Sequence, residues 1–202
     1  MDVNTKTGTF CSAILAGICI GIAGFGFLAL GGLAGAILFA FGLLAVVHFR
    51  YKLFTGVIGF FHGWKEVGAL FIVLGGNIVG CLLVALMART SAMPLQETAQ
   101  NVLTARLANG PLRSGVLSIG CGFIVTTAVV FGRKGQWLPL LFGVPLFIMC
   151  GFPHCIADAF YYLTVPFDFL AENAWDTIVL YVCIVAGNFL GCNLYRLILP
   201  EN

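Results

Sequence analysis

Charge is what this sequence has least of: ten Lys and Arg and eight Asp and Glu make up only 9% of its 202 residues, where soluble domains carry about 25%. With 60% hydrophobic residues and a mean hydropathy of +1.05, the chain is not a water-soluble globule. The basic residues are scattered and the net charge is only +2. That lacks the clustered basic footprint of a nucleic-acid binder, so nucleic acid is not an expected partner. Paired metal-ligand spacing is missing too: Cys150, His154 and Cys155 form one Cys-x4-Cys with a single histidine and no fourth ligand, and neither metal nor cofactor is expected. The eight cysteines sit mostly inside apolar runs and read as free, membrane-buried thiols rather than a disulfide framework. No Asn-Pro-Ala motif occurs, which disfavours an aquaporin proper.

What is there instead is a series of apolar runs. A membrane-spanning helix needs about 20 mostly apolar residues, which caps this length at six or seven spans. The run after the polar residues Met1 to Thr9 is too long for a signal-peptide core and reads as a first span, about Phe10 to Leu30. Gly31-Gly32 offers a tight turn into a second span from Leu33. That span is interrupted at Phe49, Arg50 and Lys52 and resumes from Leu53 to Phe61. A third runs from Val67 to Ala88. Thr90 to Pro111 is a polar connection with room for a short surface helix. A fourth span covers Ser114 to Phe131. The fifth starts near Gln136, breaks at Gly151-Phe152-Pro153 and resumes from Cys155 to Leu163, because proline removes a backbone donor. After an acidic turn with Asp168, Glu172 and Asp176, a sixth covers Thr177 to Leu197. The fold class expected is an all-α integral membrane protein, a single channel domain over 1–202. Lys6, Lys65, Arg133, Lys134 and Arg196 against Arg89, Arg106 and Arg113 place both termini in the cytoplasm.

The octet from Gly76 to Leu83 and that from Gly187 to Leu194 share five of eight residues, including Gly-Asn and Gly-Cys. Each follows a broken span. Three helices per unit make this a 3+3 inverted repeat, about 8–90 and 111–199, linked by the loop 91–110, with the second and fifth spans as the broken pair near the bilayer midplane. Breaks in lipid are tolerated only where protein or a watery pathway satisfies the backbone. Half-helices starting near Thr55 and Cys155 aim positive ends inward, which suits an anion. His154 lies on the second break, an ionisable group at membrane depth. The alternative is a structural histidine bonding a backbone group freed by Pro153. His48 and His62 read as interfacial or packing residues, and Phe54 as a hydrophobic constriction.

These motifs are where the chain resembles the formate/nitrite transporter family. Leu53-Phe54-Thr55-Gly56 is similar to its Leu-Phe-Thr-Ser/Gly loop, Gly151 to Asp158 to its Gly-Phe-Glu-His-Ser-Val/Ile-Ala-Asn, and Gly187-Asn188 to the Gly-Asn of its sixth span. The resemblance implies an aquaporin-like fold, a homopentamer among membrane lipid, and a cell-membrane location, the inner membrane of a bacterium. It implies that Leu53, Phe54 and Thr55 form a constriction, that His154 is the central histidine and Asn188 a polar residue near the pathway, and that Lys134 is close to the family's vestibule lysine. Pro153, Asp158 and Ile119 depart from the pattern, replacing a glutamate and two asparagines. Asp158 falls four residues after His154, on one helical face with it. A carboxylate there favours imidazolium and offsets its charge.

The function the resemblance implies is a passive channel or proton-coupled transporter for small monovalent weak-acid anions or their neutral acids, of the formate, nitrite, acetate, lactate and hydrosulfide class. His154 would protonate the permeant. The alternatives are a channel for small neutral solutes on the same scaffold, an intramembrane thiol-dependent enzyme, and a structural membrane subunit. Apolar burial opposes thiolate formation, so an enzyme is not expected.

Overall fold

The computed structural model describes residues 5–60, 63 and 67–199, and every regular element among them is helical. The resumed second span past Phe60, with His62, Trp64 and Lys65, lies largely outside the described residues. Four helices are long and apolar enough to cross a membrane: α1 (Lys6–Leu30), α4 (Val67–Arg89), α6 (Pro111–Arg133) and α10 (Ala174–Cys192). Two shorter apolar helices, α2 (Gly32–His48) and α7 (Leu138–Met149), each run into a non-helical stretch. The first stretch leads to the four-residue α3 (Phe54–Val57) and a 3-10 turn (Ile58–Phe60), the second to α8 (Cys155–Thr164). The remaining helices are α5 (Leu95–Asn109), α9 (Phe167–Glu172) and α11 (Leu194–Ile198). The chain is a multi-pass membrane protein. Many large apolar side chains on its flanks, such as Phe41, Phe71 and Phe142, are exposed, the surface that lipid or another apolar partner covers.

Local chemistry sets the ends. Gly31 and Gly32, at φ 62° and 52°, take the left-handed turn between α1 and α2, where the sequence predicts it. Arg50 adopts φ 57°, unusual for a residue with a Cβ, in the turn that ends α2, where the N–H groups of Arg50 and Tyr51 donate to the carbonyls of Val47 and Val46. Gly151, at φ 70°, ends α7 in a turn of the same kind, with Phe152 donating to the Phe147 carbonyl, and Pro153 keeps the helix from continuing.

Small residues then let the long helices pack in two close pairs, α1 with α4 and α6 with α10. A Cβ on Gly17 would strike the Asn77 carbonyl and one on Gly80 the Ile14 carbonyl. In the second pair Gly122 faces the Asn188 carbonyl and Gly191 the Ile119 carbonyl. α2 and α7 lie antiparallel, with Phe39 edge-on to Phe147 (centroids 6.3 Å apart) and His48 near Trp137 (6.1 Å).

One expectation is met and one corrected. The polar connection carries the short surface helix expected there: α5 is mostly exposed or half-exposed, but it buries Leu95, Ala99 and Leu103, one stripe at four-residue spacing, against the bundle and packs on α8. The sixth span is not continuous to Leu197. It breaks at Asn193, whose amide donates to the carbonyls of Phe189 (2.9 Å) and Ile58 (3.3 Å).

Candidate functional site

Both breaks are held by an asparagine from a long helix. Asn77 accepts from the Phe54 N–H (2.8 Å) and donates to the carbonyls of Lys52 (2.9 Å) and Ala13 (2.8 Å). Asn188 accepts from the Cys155 N–H (2.8 Å) and donates to those of Pro153 (3.0 Å) and Ser118 (2.8 Å). Each carboxamide is fully buried and satisfies three backbone groups that lipid could not, so the break is stable without water. Four residues on in each helix stands a cysteine whose weak S–H donor crosses the molecule. Cys81 reaches the Ile156 carbonyl at the start of α8 (3.4 Å) and Cys192 the Thr55 carbonyl in α3 (3.5 Å).

Arginines close the other ends of the short helices, where the dipole favours a cation. Arg89 donates to the carbonyls of Leu163 (2.9 Å) and Val165 (2.6 Å), and Arg133 to that of Gly56 (3.0 Å).

His154 is the N-cap of α8 and is 3% exposed. Its Nδ1 lies 3.2 Å from the Ala157 N–H, which can only donate, so Nδ1 accepts. The proton of the neutral ring is therefore on Nε2, which donates to Thr55 Oγ1 at 2.9 Å. This bond joins the two breaks, 99 residues apart in the chain. Phe147 stacks on the ring at 5.7 Å. The donors that the half-helix reading leaves open for an anion are mostly spoken for: Phe54, Cys155 and Ala157 all donate to side chains.

Two cavities flank this contact at opposite ends of the bundle. The first, about 550 Å³, gathers His48, Arg50, Lys52 and Arg133 around the end of α2 and the end of α6. The second, about 440 Å³, lies between α5, the end of α7 and the second break, and is lined by His154, Asp158, Arg106, Asn109 and Tyr161 among others. Leu53, Phe54 and Thr55 are buried between them, lining neither. Lys134 is exposed at the end of α6, beside the lining residues Arg133 and Gly135 but not itself on the cavity wall.

Asp158 shares a helical face with His154, yet its charge partner is Arg106 of α5, with Nε 3.5 Å from Oδ1. Arg106 also donates to the Gly151 carbonyl, tying α5 to the break. Sequence reading missed Arg106, because it lies 52 residues from Asp158 in a connection taken for surface; its signal was a cation four residues before Gly110 facing the same way as Leu103 and Ala99. Ile119 makes no polar contact with His154 among the described residues, and Cys150 is exposed while Cys155 is buried. All eight cysteines are free. Among the described residues no three His, Cys, Asp or Glu side chains are placed to share a metal ion.

Residues 3–199 match the family model described as formate/nitrite transporter. Among solved structures, the chain is similar to one titled "Pentameric formate channel with formate bound", at TM-score 0.82 and 22% identity over 98% of this chain and 97% of that one. A second, titled "FNT family ion channel", superposes at TM-score 0.77 with 20% identity, over 96% and 88%. Among curated proteins none matches. With a family match spanning almost every residue and the same aquaporin-like fold in both structures, the chain belongs to the formate/nitrite transporter family.

Proposed function

We propose that this protein is a channel or proton-coupled transporter for small monovalent weak-acid anions, crossing its middle as the neutral acid. The observation that carries the reading is His154, buried on the wall of the second cavity and bonded across both breaks to Thr55. The cations of the first cavity and Lys134 beside it draw the anion in. An imidazolium at His154 gives one proton to the anion, leaving the neutral acid and the neutral ring held as described, with Nδ1 accepting from Ala157. Neutralisation removes the charge that makes passage beside Leu53 and Phe54 costly. Solvent returns the proton in each cycle.

The architecture that serves this is six spans in a 3+3 inverted repeat, α2–α3 and α7–α8 being the broken second and fifth. Matched asparagine clamps and matched glycine approaches support it. We take both termini to be cytoplasmic and the assembly to be a homopentamer, as in the formate channel it superposes on. A pore for neutral solutes is the second reading, favoured by one observation, the Asp158 carboxylate on the second cavity.

The test is pH-resolved uptake of formate, nitrite, hydrosulfide and urea into liposomes. The expected result is weak-acid uptake that rises as pH falls and is lost in His154→Ala. Urea uptake without acid uptake would replace the proposal with the second reading.

A further inference from the structure

The second cavity holds three polar atoms that the fold leaves without hydrogen bonds. Arg106 Nε and both carboxylate oxygens of Asp158 are buried and have no such partner among the described residues. The 3.5 Å between Nε and Oδ1 is an ion pair but longer than a good hydrogen bond. Asp158 is 1% exposed, and buried polar atoms in native proteins find partners in protein, water or ligand. Here one donor and two acceptors stand side by side on the wall of a cavity of about 440 Å³ that also contains His154.

We propose that Arg106 and Asp158 are specificity-determining residues that make this cavity a station for an undissociated weak acid and bar its anion. The inference rests on the weak-acid reading above. An acid of the carboxylic type carries one oxygen that accepts and one O–H that donates. The first takes the Arg106 Nε–H and the second gives to the Asp158 carboxylate. A bare anion has no proton to offer Asp158 and meets its negative charge in a setting of low dielectric, where repulsion is weakly screened. Arg106 cannot serve the anion freely, because its guanidinium is already bound to the Gly151 carbonyl and paired with Asp158. The first cavity has the opposite character: among the described residues its lining includes Arg50, Lys52 and Arg133 and no carboxylate. Anions are thus gathered at one end and only the acid is accepted at the other.

The experiment measures labelled formate uptake and charge movement together in liposomes holding the purified protein, for the native chain and Asp158→Asn. The native chain should take up formate with little net charge moved. Asp158→Asn, which keeps the shape and removes the barrier, should raise the charge moved per formate by about tenfold. An unchanged ratio overturns the proposal, since water alone then fills the polar wall. A native chain that takes up no weak acid overturns the reading of the function, and this inference with it, before any variant is compared. If Asp158→Asn does not assemble, the double variant Arg106→Gln, Asp158→Asn leaves no charge buried alone and is judged by the same ratio.

Discussion

The two breaks are built alike and used differently. In each, an asparagine bonds the first N–H of the short helix and the carbonyl two residues before it, and a cysteine four residues further on reaches across to the other short helix. Yet the matched position before the short helix is Leu53 in one and His154 in the other. The first short helix lasts four residues before tightening into a 3-10 turn, the second ten. The frame is duplicated, while the chemistry is placed on one side only. The proton transfer proposed above calls for one titratable group, and a second would add the cost of another buried polar ring.

The largest effect that would break this comparison is loss of a clamp. Asn77→Ala and Asn188→Ala each orphan a buried N–H and two carbonyls, and each should lower unfolding stability in detergent by about 2–4 kcal/mol. The two losses should agree within about 1 kcal/mol if the halves are equivalent; a neutral result for either denies the clamp its role. His154→Leu makes the second break resemble the first. It should cost about 1 kcal/mol for the lost cap and leave the assembled protein intact, while pH-dependent uptake disappears; uptake that persists would make His154 structural. A smaller effect comes from Arg89 and Arg133. Arg89→Gln, which gives up two carbonyl contacts, should lower stability in thermal unfolding by about 2 kcal/mol, and Arg133→Gln, which gives up one, by about 1 kcal/mol. Equal shifts would mean that the C-terminal caps do not scale with their bonds. The smallest belongs to the crossing thiols: Cys81→Ala and Cys192→Ala should each cost about 1 kcal/mol or less in thermal unfolding, and Cys→Ser less still at either site, since a hydroxyl keeps the donor.

Much of this frame was legible in the sequence. Arg50 and Lys52 inside an apolar run and Pro153 inside another marked the breaks, and the Gly-Asn pairs at 76–77 and 187–188 marked the helices that stabilise them. The reason is that each signal is local: a charge, a proline or an asparagine where lipid tolerates none. The pairing of Asp158 with Arg106 was not legible, because the two meet only through the docking of α5 on α8. The polar residues of α5 suggested solvent, and a stripe of three small or aliphatic residues was too narrow to stand out. The central contact of His154 with Thr55 was half visible: both residues were singled out, but that each serves the other depends on how the two breaks meet. The internal use of the half-helix donors was also hidden, since the repeat showed which asparagines matched and not where their side chains turn.

The crossing contacts also carry a schedule. Asn77 follows the backbone groups it serves at Phe54 and Lys52 by 23 and 25 residues. Cys192 follows the Thr55 carbonyl by 137, and Asn193 follows the Ile58 carbonyl by 135. At ribosomal rates of about 10 residues per second, the first short helix waits on the order of ten seconds for partners not yet made. During that time it is clamped at its start and open at its middle, in a place where an open carbonyl is expensive. The first half of the chain is thus synthesised as an unfinished object, completed only when the last long helix is inserted.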